Sequence, residues 1–327
     1  MSLVFMSGFE WGTNREFDQG GGTIATSPKR SGAYSANLGN GAWIYKVLPQ
    51  PLTEVYVQFA YYSTYSTTAV FFVISKGGTD IVSINKDSNF RLQVCSGYGS
   101  TVYCTGITPI QLNVWYLIEL HFKMADAGGI IELRLDGNPE ATFSGDTKPG
   151  ADADFDKMRW GATTGTTVFY LDDVVIFDTF GSVNNSWPNG LRVVLLKPNA
   201  DGSTLQWTPT PSGSHYATVD EVPPSGTDYL QAAEADKVDE LGLEDLPAEA
   251  LSVKGVIIQA WAYKGSTLPP TRLALGLNLG GTAYYSSDKD LPGTQGYVME
   301  KWEQNPGGGN FTVSQINNAK LLLKSRT

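Results

Sequence analysis

Two adjacent carboxylates, Asp172 and Asp173, stand inside an apolar run, FYLDDVVIFD, from Phe169 to Asp178. Neighbouring acids can ligate a divalent cation, work as acid and nucleophile, or accept hydrogen bonds that hold a fold together. In a regular strand, neighbours point to opposite faces, so the two cannot grip one ion together. The inward one then needs a partner, and Arg159 in DKMRWG is the expected one. The first expectation is that both acids sit at the strand's entry, accept turn N–H groups and pin the strand. Calcium ligation is the alternative.

A second acidic group, ADADFD, places Asp152, Asp154 and Asp156 at alternate positions in a Gly-containing loop. This resembles the start of an EF-hand loop but lacks its Gly and distal Glu. A solvated acidic loop is expected, with calcium again the alternative. In IELRLDG, Glu132 and Asp136 share a face with Arg134 between them, which reads as a salt-bridged surface. His121 and His215 have no nucleophile motif beside them, and Gly-x-Ser-x-Gly, Gly-x-Gly-x-x-Gly and Walker sequences are missing. No catalytic residue is expected. Sugar rings stack on exposed aromatic faces, so Tyr61, Tyr62 and Tyr65 in AYYSTYS and Tyr98 in CSGYGSTVYC are the candidate glycan contacts. Tyr98, between Gly97 and Gly99, is expected to be the most exposed, and Trp43 is a further aromatic at a turn–strand junction. Cys95 and Cys104 flank the same hairpin; a disulfide and two separate thiols both remain open.

These groups must be carried by short strands. Charged residues make up 17% of the 327-residue chain, against 36 Gly and 30 Tyr plus Phe, which suits strands and tight turns better than helices. The chain is long enough for two cores. A net charge of −10 repels a phosphate backbone and an anionic membrane, which argues against nucleic-acid binding and membrane insertion. The start, MSLVFMSGFEW, lacks a basic segment and a long apolar run, so folding in the cytosol where the chain is made is expected.

Residues 1–180 read as about a dozen strands in two packed antiparallel sheets. Among them are EVYVQFAYYS, VWYLIELHFKM and a hairpin around Asp136-Gly137-Asn138. Residues 181–190, rich in Gly, Ser, Asn and Pro, read as a linker. Residues 191–327 read as a second β-sandwich of seven or eight strands, with LRVVLLKP as its first strand. Its acidic stretch AAEADKVDELGLEDLPAEA reads as a solvated segment, and a helical turn near Ser314 precedes the last strand. The fold class is therefore all-β in two domains.

In SGAYSANLG, VWYLIELHFKM, IELRLDG and YLDDVVIFD the first 180 residues resemble the concanavalin A-like lectin/glucanase superfamily, in particular laminin-G-like modules. The glucanases of that superfamily carry Glu-x-Asp-x-x-Glu on one strand, and this chain does not. The second unit resembles a domain of tailed-phage structural proteins in LRVVLLKPNADGSTLQWTP, YATVDEVPPSGTDYL, VKGVIIQAWAYK and VSQINNAKLLLK. The pairing implies a non-enzymatic virion protein, tail- or fibre-associated with a host-surface glycan contact, or alternatively a capsid decoration protein. A free carbohydrate-binding module or glycan-degrading enzyme is the reading from another class. The implied partners are other virion proteins and copies of the chain. The implied location is a virion released by lysis, with no required cofactor beyond optional calcium.

Overall fold

The computed structural model describes residues 2–39, 41–162, 167–265 and 268–327. The chain divides into two compact units, Met1–Val194 and Leu195–Thr327. It is all-β, with one short helix and one 3-10 turn among the described residues.

Among the described residues, fourteen strands build the first unit: β1 (Leu3–Ser7), β2 (Thr23–Ala25), β3 (Ser35–Gly39), β4 (Trp43–Leu52), β5 (Glu54–Ser63), β6 (Ala69–Lys76), β7 (Thr79–Lys86), β8 (Leu92–Ser96), β9 (Thr101–Thr105), β10 (Trp115–Lys123), β11 (Gly129–Leu135), β12 (Asn138–Gly145), β13 (Phe155–Gly161) and β14 (Val168–Phe177). They form an eight-stranded sheet, β12-β11-β10-β5-β14-β3-β2 with β1 on β14, and a six-stranded sheet, β4-β13-β6-β7-β8-β9. Alternation drives the layering. Ile118, Leu120 and Phe122 of β10, Ile131, Leu133 and Leu135 of β11, and Phe72 and Ile74 of β6 all enter one core, together with Trp160 and Phe169. Two facing antiparallel sheets around one such core make a jelly-roll sandwich. The Asp136-Gly137 pair makes the expected tight turn between β11 and β12.

Lys86 is an exception in this core. It is fully buried at the end of β7, with its ammonium bonded to Ser63 Oγ (3.1 Å) and Tyr65 O and lying 3.9 Å from the Tyr65 ring centroid. Burial lowers its pKa to about 8. The unfolded chain therefore binds more protons between pH 8 and about 10, and the Lys86 contribution to stability rises with pH there. Lys86→Met is expected to stabilise the unit by about 1 kcal/mol at pH 7. The gain should shrink as pH is raised above 8, read by urea unfolding at each pH.

Among the described residues, ten strands build the second unit: β15 (Pro198–Leu205), β16 (Thr208–Thr210), β17 (Tyr229–Gln231), β18 (Val238–Leu243), β19 (Val256–Ala262), β20 (Arg272–Leu279), β21 (Thr282–Tyr285), β22 (Lys289–Asp290), β23 (Gly296–Trp302) and β24 (Lys320–Arg326). A six-stranded sheet, β15-β18-β24-β20-β21 with β22 on β20, shares its core with the β19–β23 ribbon through Leu273, Leu275, Leu277, Leu323, Ile258 and Val298. The helical turn before β24 is α1 (Val313–Asn317), closed by a Thr312–Gln315 capping box.

Two readings of this region are corrected. LRVVLLKP is not a strand: residues 191–197 form no ladder, and side chains take their place, with Gln58 bonding both N and O of Leu191. The acidic stretch is not simply solvated, because its middle is β18, with Asp239 fully buried and Glu240 nearly so. Asp239 accepts Gln206 N and Trp207 N at 2.7 Å and meets His215 Nδ1 at 2.5 Å. Burial raises the Glu240 pKa, but hydrogen bonds from Asn278, Ser203 and Lys320 outweigh it and hold the group at about 2.

Candidate functional site

Asp172 and Asp173 lie in the middle of β14, not at its entry. The β14–β5 register breaks between Asp172 and Val175, and Asp173 takes a left-handed φ of 48°. This bulge cancels strict alternation, so both carboxylates converge on one loop, residues 28–34. Asp172 Oδ2 accepts Arg30 N (2.9 Å) and Ser31 N (3.2 Å), and its Oδ1 accepts Asp173 N. Asp173 holds the Arg30 guanidinium at 2.5 Å, the Ser31 hydroxyl at 2.8 Å and Val193 N at 2.8 Å. Glu10 accepts Ala33 N and Tyr34 N from the same loop. Between these bonds Gly32 adopts φ +56°, and a Cβ there would fall inside the Glu10 carboxylate. Arg30, not Arg159, is the counter-ion. The stretch SGAYSANLG is therefore fastened to YLDDVVIFD by carboxylates acting as hydrogen-bond acceptors.

The second acidic group surrounds a lysine. Lys76 Nζ lies 2.5 Å from Asp154 and 3.4 Å from Asp156, while Asp156 also accepts Gly77 N. Asp152 stands apart, lining a recess of about 230 Å³ with Asp80, Gly97, Met124 and Pro149. Among the described residues, no three His, Cys, Asp or Glu side chains are grouped as a metal would need.

The segment that reads as a linker is bonded to the outer face of the eight-stranded sheet. Asn189 N donates to the buried Glu119, and Gly190 N and Leu191 N donate to Gln58. Trp187 packs edge-on to Tyr56 and beneath the Arg134 guanidinium at 3.8 Å. His121, stacked on Tyr56, bridges Glu54 and Glu132 at 2.8 Å each. The surface partner of Glu132 is thus His121 rather than Arg134, and Asp136 Oδ1 instead accepts Leu117 N.

The tyrosine candidates separate. Tyr61 and Tyr65 are core residues, 0% and 5% exposed, with their hydroxyls bonded to each other at 2.7 Å; they are not glycan contacts. Burial pushes the phenol of Tyr61 up first of all, and that of its partner Tyr65 likewise. Tyr62 is half-buried on the outer face of the eight-stranded sheet beside Trp115 and Tyr170. Tyr98 does not crown its hairpin in solvent: the turn folds back, bringing its ring to 6.4 Å from Trp43 and 5.8 Å from the Arg159 guanidinium carbon.

Arg159 projects from β13 on the outer face of the six-stranded sheet. It lies 4.8 Å over the Trp43 ring and is paired with Asp80 at 2.5 Å. Two aromatic rings, a guanidinium and a carboxylate on one sheet face can stack on a sugar ring and bond its hydroxyls.

The two cysteines are free. A register shift pairs Cys95 with Val102 and Cys104 with Val94. Cys104 therefore packs against the core, while Cys95 Sγ bonds Asn85 Oδ1 on the other face. No disulfide joins them. Burial pushes both thiols up to about 11.

Sequence reasoning missed Arg30, Glu10, Asp80 and Ser75. Each acts across strands or sheets, and VFFVISK, apolar on both faces, gives no local sign that Ser75 and Val73 face outward.

No family model matches the chain, and no curated protein matches it. Solved structures do. A Bacillus subtilis protein of unknown function with a galectin-like fold is 11% identical over 54% of this chain and 96% of its own, with a TM-score of 0.40. Domain 4 of a GH43 extracellular arabinanase from Geobacillus stearothermophilus, solved with arabinotriose, is 17% identical over 54% of this chain and 92% of that chain, at 0.41. A Trypanosoma rangeli sialidase is 14% identical over 47% of this chain at 0.35, and the match spans 26% of the sialidase.

Proposed function

We propose that this chain is a non-enzymatic structural component of a tailed-phage virion whose jelly roll contacts host-surface glycan through Trp43, Arg159 and Tyr98. The observation that supports the glycan contact is the grouping of those three side chains with Asp80 on one sheet face. The virion role rests on the resemblance of the second unit to phage structural domains. Tail or fibre is the first position and capsid decoration the alternative. Other virion proteins and further copies of the chain are the partners, and calcium is not required.

Native gels containing soluble polysaccharides test the glycan part. Trp43→Ala is expected to weaken retention about tenfold or more, as loss of a central aromatic contact does. Equal retention of wild type and variant, or none in any polysaccharide, sinks this part. The virion part is tested by density-gradient sedimentation of phage particles encoding the chain. Its recovery only in the unassembled fraction sinks that role.

A further inference from the structure

The outer face of the six-stranded sheet hides a polar floor. Ser75, Ser83, Cys95 and Asn85 are 1%, 0%, 1% and 7% exposed, although their strand positions face away from the core. The chain's own β8–β9 turn lies over part of this floor. Gly97 N bonds Ile81 O at 2.9 Å, Gly99 N bonds Ser83 Oγ at 2.9 Å, and a Cβ on Gly99 would stand 3.2 Å from Val70. Gly97 and Gly99, at φ +57° and +67°, bracket Tyr98 in the left-handed region that glycine enters and leaves at low cost. On the same sheet face, Ser75 Oγ and Arg159 Nε are buried with no hydrogen-bond partner among the described residues. Such groups carry a desolvation penalty that a ligand hydroxyl would relieve.

Building on the glycan-binding reading, we propose that the Tyr98 turn is a lid over a subsite for an uncharged sugar residue, which bonds Ser75 Oγ and Arg159 Nε when the turn lifts. The ligand is uncharged because the guanidinium is already neutralised by Asp80, and Asp80 and Asp152 line the adjoining recess. A carboxylated sugar would meet those acids on a chain of net charge −10.

Cys95 reports the lid's motion without any sugar. It is the register partner of Ser83 on the same face, against which the turn tip is bonded. The full-length chain is alkylated with iodoacetamide at pH 8, and labelling is located by peptide mass spectrometry. Dextran, galactan or polygalacturonate is then added. Cys95 is the more buried of the two thiols, so it labels only as the turn lifts, and Cys104 serves as the reference rate. Ser83→Ala should raise the Cys95 rate about fivefold, the effect of one lost neutral hydrogen bond, with Cys104 unchanged. A retained neutral polysaccharide should change the Cys95 rate at saturation. A Cys95 rate that Ser83→Ala leaves unchanged overturns the lid. Binding of polygalacturonate alone overturns the ligand class. Retention of a neutral polysaccharide with an unchanged Cys95 rate overturns the subsite and leaves the glycan-binding reading standing. A mobile lid with no sugar retained overturns that reading, and the sugar assignment falls with it.

Discussion

Asp173→Ala is expected to destabilise the first unit by about 3 kcal/mol. Asp173 is fully buried, and its carboxylate holds Arg30, Ser31 and Val193 at once. Removing it leaves the Arg30 guanidinium, itself only 20% exposed, without its counter-charge. Ala must also take a left-handed φ that Asp and Asn tolerate better. Asp173→Asn keeps that tolerance and loses the ion pair, so it should fall between wild type and Ala. Asp156→Ala, a carboxylate partly open to solvent, should stay within about 0.5 kcal/mol. Urea unfolding of the full-length chain, followed by hydrogen exchange in β14, reads all three. An Asp173→Ala chain within 1 kcal/mol of wild type would falsify the pinning role.

The second large effect is a loss of first-unit stability as pH rises from about 4 to 7. Burial, then the neighbouring Asp173 charge, raises the Asp172 pKa to about 7, against partial relief from the N–H groups of Arg30, Ser31 and Asp173. In that window the folded chain keeps a proton that the unfolded chain has released, so stability falls with rising pH. Below pH 4 both states are protonated and the penalty vanishes; above pH 7 it is complete, at a few kcal/mol. Burial raises the Glu10 pKa as well, in the same direction. Asp172→Asn cannot ionise. Its side-chain oxygen still accepts Arg30 N and Ser31 N, while the bond from Asp173 N is lost. The variant should therefore be the less stable chain at pH 4, and its deficit should narrow or reverse by pH 8. The second unit runs oppositely over a lower range, because the Glu240 contribution is present above pH 4.5 and lost as pH falls toward 2. Parallel pH profiles for wild type and Asp172→Asn would show that Asp172 does not carry the dependence.

Composition and alternation were enough to read an all-β chain, the tight turn at Asp136-Gly137 and the helical turn ahead of β24, because each depends on residues within one strand or turn. Side-chain period two places Ile118, Leu120 and Phe122 in a core without any knowledge of what lies opposite. The same rule misplaced Asp172 and Asp173, since a bulge changes the period and no residue type announces one here. It also left the cysteines undecided, because a register shift sends Cys95 and Cys104 to opposite faces. Tyr61 and Tyr65 are chemically indistinguishable from surface tyrosines until the second sheet covers them. Tyr98 has glycine neighbours, but only the folded turn carries it to Trp43 and Arg159. Local patterning determined the elements. Burial, counter-ions and the candidate binding face were decided by contacts between residues such as Arg30 and Asp173, 143 positions apart, whose energies depend on tertiary proximity and leave no periodic trace in the chain.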